Sequence, residues 1–141
     1  MRAGWAVAAA ALLVWLGMVL AISFLEAPLK FRAPDVTVPI GLGIGRLVFR
    51  ALNAVEAGLA TVAVLAALVD PPPAGALVAG SVAVLVLAAQ LAWVRPRLTR
   101  RSDLVLAGRE APRSKGHYGY VVLEVVKVMA LAAAGAFLLA A

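Results

Sequence analysis

Four apolar runs, separated by proline-marked breaks, constrain this chain more than any other feature. They cover residues of about 3–27, 40–69, 74–94 and 117–140. Each holds the roughly 20 residues that a helix needs to cross a hydrocarbon core. Inside lipid, backbone N–H and C=O groups find no water, so such runs form helices that satisfy these groups internally. The chain is 65% hydrophobic with a mean hydropathy of +1.02, so water is not the main solvent for its surface. The expected fold is therefore an all-α membrane protein, with four transmembrane helices in a bundle. They form a single integral membrane domain over residues 1–141.

The first run has some features of a targeting signal. Arg2 gives a minimal basic start, and Ala21-Ile-Ser23 resembles a small-residue cleavage site. A signal's apolar core is about 7–15 residues, whereas this run spans a bilayer, so a retained helix is expected. Trp5 then lies at an interface, where indole rings prefer to sit. Pro28 lacks an N–H and clashes with the preceding turn, so the helix should stop or kink there. Pro34, Asp35, Thr37 and Pro39 mark a loop, with Asp35 or Thr37 as N-cap of the second helix. Gly41, Gly43 and Gly45 follow no strand and lead into no Walker or Rossmann spacing. Close packing or a flexible helix start explains them better than phosphate binding does. Asp70-Pro-Pro-Pro73 ends the second helix. Residues 95–116 read as a basic loop, with Leu104-Val-Leu106 as a candidate short surface helix.

The formal net charge is +6. In a soluble domain this would raise the question of nucleic acid. Here the cations Arg95, Arg97, Arg100, Arg101, Arg109, Arg113 and Lys115 sit between spans. They point to a lipid bilayer with anionic headgroups along Arg95–Lys115, and to no nucleic acid. Four spans put this segment, Lys30 and Arg32 on one side, leaving Arg2 and the Asp70 turn on the other. The positive-inside rule then places both termini outside and both basic loops in the cytoplasm of a bacterial inner (plasma) membrane.

That orientation gathers the polar residues into the cytoplasmic half. On the second helix, Arg46, Phe49, Asn53 and Glu56 follow an i, i+3, i+7, i+10 spacing and share one face. His117, Tyr120, Glu124 and Lys127 repeat that spacing on the fourth helix. Ionisable residues inside a span are costly and mark a functional-site hypothesis that needs partners. The inventory allows pairing: Glu26, Glu56 and Glu124 against Lys30, Arg46, Arg50 and Lys127. At similar depths, Glu56 with Lys127, and Glu124 with Arg46 or Arg50, are the expected pairs. Arg50 lies one position off the stripe and has the reach to snorkel to phosphates. The two stripes also align position for position, each following a helix that ends at a proline with basic neighbours. That alignment suggests two duplicated helical hairpins, although helical periodicity alone produces such matches readily.

Catalysis has little support. No nucleophile–base pair is visible, His117 is the sole histidine, and there are no cysteines. No catalytic residue, metal site or cofactor is expected.

The string Phe24-Leu-Glu26-Ala-Pro28-Leu-Lys30-Phe31, with Gly45-Arg46-Leu-Val-Phe49 and later His117 and Glu124, resembles a bacterial family of small uncharacterised four-helix membrane proteins. The resemblance covers about half the chain, and it implies four spans and no known reaction.

Three functions fit these features. One is a small transporter or channel subunit, as a homo-oligomer or with a membrane partner. Another is a structural or accessory membrane subunit whose charges only fix helix packing. The third, an enzyme acting on a lipid or quinone, rests on His117 and Glu124 alone. A water-filled cavity at Glu56, Glu124 and Lys127 would favour the first, and a dry, paired cluster the second.

Overall fold

The computed structural model describes residues 1–108 and 115–141, with all side chains among them except those of 94, 97, 98 and 115–117. Among the described residues every regular element is helical. Helix α1 (Ala3–Val19) continues through a wide π-helical stretch, Leu20–Glu26, then an α turn and a 3-10 turn to Arg32. Helix α2 is Val38–Val69, and α3 is Ala74–Ala89. A second π stretch, Gln90–Val94, joins α3 to α4 (Arg95–Leu106), and α5 is Lys115–Ala140. Four stretches are long and apolar enough to cross a membrane: Ala3–Arg32, Val38–Val69, Ala74–Trp93 and Tyr118–Ala140. They fit a multi-pass membrane protein.

Two boundaries differ from the sequence reading, and proline explains both. The first helical path does not stop at Pro28. Its preceding turn widens instead, so that the Ala27 N–H bonds to the Ile22 carbonyl, five residues back. The same bond runs from the Arg95 N–H to the Gln90 carbonyl, and Pro96 follows. A proline ring crowds the carbonyl four residues earlier, and a π turn moves that carbonyl aside. Residues 95–106 are then a helix rather than a loop, because Pro96 sits in its first turn, where the missing N–H costs nothing.

Thr37 caps α2 by accepting from the Ile40 N–H at 3.4 Å. Asp35 instead takes the turn's left-handed position, with φ of 66°. The glycines of α2 give room to the segment before it. A Cβ at Gly41 would overlap the Phe31 ring, one at Gly45 would lie 3.1 Å from Lys30 Nζ, and Gly43 faces open space.

Helix α1 lies between α2 and α5, and α3 packs on α5. By contrast α2 and α3, although joined by a four-residue turn, touch little. At the end holding that turn, Trp5 Nε1 donates to the Pro71 carbonyl at 3.2 Å and Arg2 pairs with Asp70 at 2.9 Å. Below it lies an apolar layer of Ala8, Leu12, Val19, Ala60, Ala83, Leu131, Ala134 and Leu138. Its alanines let the helix backbones approach closely, which is how helices gain contact where lipid is as apolar as leucine.

A buried charge cluster as the candidate functional site

Beneath the apolar layer, toward the basic end, the bundle interior turns polar. The buried face of α5 carries Tyr120, Glu124, Lys127, Leu131, Ala134 and Leu138 in helical register. On α2 the buried positions are Leu52, Glu56, Ala60 and Ala63. Lys127 and Glu56 are each 0% exposed and Glu124 2%.

Lys127 organises this layer. Its ammonium has three N–H donors and meets three acceptors. They are Glu56 Oε1 and Glu124 Oε1, each at 2.5 Å, and Gln90 Oε1 at 2.8 Å. The carboxylates are held from other helices as well. Trp15 Nε1 donates to Glu56 Oε1 at 2.8 Å from α1. Ser23 Oγ donates to Glu124 Oε2 at 2.7 Å, and Gln90 Nε2 reaches Glu124 Oε1 at 3.3 Å. Glu56 Oε2 is buried without a hydrogen-bond partner among the described residues. Both π stretches contribute here, since Ser23 and Gln90 sit in them. A wide turn rotates the side chains beyond it, and here that rotation delivers two polar groups to one carboxylate.

A cationic layer lies between the cluster and the basic end. The Phe49 ring has Lys30 Nζ 5.6 Å and Arg95 Cζ 5.1 Å from its centroid, and Tyr120 edge-on at 6.0 Å. Burial holds the Arg95 guanidinium below its ordinary value. Tyr120 and the carboxylates of Glu124 and Glu56 oppose that shift, while Arg46 adds to it. Arg95 stays charged at any ordinary pH, so it lends a second positive charge to the two carboxylates below.

The sequence-predicted residues divide accordingly. Glu56, Glu124 and Lys127 meet in one contact, with Tyr120 buried beside them. Glu124 takes Lys127 rather than Arg46 or Arg50. Arg46 reaches outward to Asp103 of α4, and Arg50 is exposed, off the helix face that buries Glu56. Asn53 is half-buried and has no side-chain hydrogen bond among the described residues. Glu26 lies 3.7 Å from Lys30, apart from the cluster. The His117 side chain, with Arg109 and Arg113, lies outside the described residues. Sequence reasoning assigned no partner to Trp15, Ser23, Gln90 or Asp103. Trp15 did carry a signal: its indole sits mid-span, away from the interface such rings favour, and its N–H then needs a buried acceptor.

Two aligned positions of the stripes meet: Phe49 touches Tyr120, and Glu56 pairs with Lys127. Comparison with protein-family models, curated proteins and solved structures gave no match to this chain.

Proposed function

We propose that this chain is a structural or accessory membrane subunit whose buried charges lock four helices into one arrangement. The observation that carries this reading is the Lys127 tripod. One ammonium from α5 spends all its donors on α2, α5 and the end of α3. A side chain so engaged would have to break several bonds in a buried interior before it could release an ion. Two open hollows lie elsewhere, one along α4 at Arg100, Asp103, Leu104 and Ala107, the other at Leu85 and Ala88 of α3 and Trp93 of the π stretch. The basic end faces the cytoplasm and its anionic headgroups, and both termini lie outside. The hairpins are repeats about an axis along the membrane normal. Support comes from the matching π turn and proline before each, and from the contacts between aligned positions.

Proteoliposome flux tests the reading. Wild type, Glu56→Gln and Glu124→Gln should give the same ion and solute flux as empty liposomes. A wild-type flux that either folded variant abolishes would replace the structural reading with the transporter one.

A further inference from the structure

We propose that the notch around Lys30, Phe49 and Arg95 binds the phosphate of one anionic phospholipid. This rests on the membrane reading alone and holds whether or not the buried cluster moves ions.

One cation there has no hydrogen-bond acceptor among the described residues. Arg95 carries five N–H donors in a rigid fork, is half-buried, and has no carboxylate or carbonyl partner among the described residues. Among the described residues its guanidinium lies over the face of Phe49. A guanidinium withdrawn from water without an acceptor is costly, and a phosphate offers it bidentate bonds. Lys30 shares the Phe49 ring, and its carboxylate neighbour among the described residues, Glu26, stands at 3.7 Å, beyond a hydrogen bond. Gly45 keeps the space beside the Lys30 ammonium clear. Arg46 is committed to Asp103 and lies close enough to Arg95 to repel it. A guanidinium without an acceptor, on the same ring as an ammonium, suits an anion at this edge of the bundle.

Depth decides which anion. Lys30 lies two residues before the end of the first candidate span, and Arg95 two residues after the end of the third. That is headgroup level, where lipid phosphates are the abundant anions. Leu29 and Phe31, the neighbours of Lys30 in the chain, are exposed, a surface suited to acyl chains and not to a soluble phosphate.

The test is titration of the purified full chain, held in zwitterionic phosphatidylcholine nanodiscs, with phosphatidylglycerol. Retained lipid is counted by native mass spectrometry and the thermal unfolding midpoint is followed. Wild type should retain one phosphatidylglycerol and unfold at a higher temperature. Arg95→Gln and Lys30→Gln should each weaken retention about tenfold or more, the loss expected for a charged hydrogen bond. Arg2→Gln, at the other end, should behave as wild type. Gly45→Ala, which only displaces the Lys30 head, gives a second reading if a charge variant fails to fold, and it too should weaken retention. Inorganic phosphate alone should leave the unfolding midpoint unchanged. Equal retention by wild type, Arg95→Gln and Gly45→Ala, or a full shift with inorganic phosphate, would overturn the proposal.

Discussion

Lys127 is the residue on which the interior depends. Removing one member of a buried ion pair leaves the other charge uncompensated, at about 3–5 kcal/mol. Lys127 compensates two carboxylates, so Lys127→Met should destabilise the bundle by at least that much in reversible unfolding from detergent micelles. A loss below 1 kcal/mol, the size of an exposed pair, would mean that the carboxylates find other partners. Trp15→Phe is milder. It removes one N–H donor from Glu56 and leaves the ring largely replaced, so about 1–3 kcal/mol should be lost in the same assay. The ions themselves were legible in the sequence, because a charge in an apolar run stands out. So was the Glu56–Lys127 pair, but Ser23 and Gln90 look ordinary until helix rotation is known.

At the scale of the element, the π stretches decide what α1 and α3 present. Pro28→Ala should let residues 20–26 relax toward a regular helix, adding one i→i−4 bond and turning Ser23 away from Glu124. Amide hydrogen exchange across 20–27 should slow relative to wild type. Unchanged exchange would show that packing, and not the proline, holds the wide turn. Gly41→Val tests the start of α2, where its side chain would collide with Phe31. Exchange across 30–37 should quicken as the ring is expelled, while that of residues 56–69 stays as in wild type. The sequence announced both prolines, reading Pro28 as a stop or kink and Pro96 as part of a loop. Whether a proline ends a helix or only widens it depends on what the continuing chain packs against, and that is a tertiary matter.

For the whole molecule, orientation is the measurable property. The chain has no cysteine, so single introduced ones report cleanly. In a bacterial expression host, Pro72→Cys should react with a membrane-impermeant maleimide in intact cells, and Ala107→Cys only after permeabilisation. The reverse pattern would invert the topology and with it the leaflet of the lipid site. The packing is less symmetric than two repeated hairpins would give, since α1 contacts α5 broadly while α2 and α3 barely meet. Lys127 bridges that weaker seam by holding Glu56 and Gln90 at once.

The sequence by itself determined the four candidate spans and the positions along them at which charge enters. These follow from run length and from the cost of placing polar groups in lipid, and both are additive along a chain. It also brought out Glu56, Glu124 and Lys127, since residues that costly stand out singly. Only the tertiary structure decided that one lysine serves both glutamates, that Arg46 turns outward to Asp103, and that Trp15 closes the cluster. Those outcomes turn on helix rotation and on side-chain reach of a few ångströms. A widened turn at Pro28 or Pro96 resets both, and spacing along the chain does not encode them.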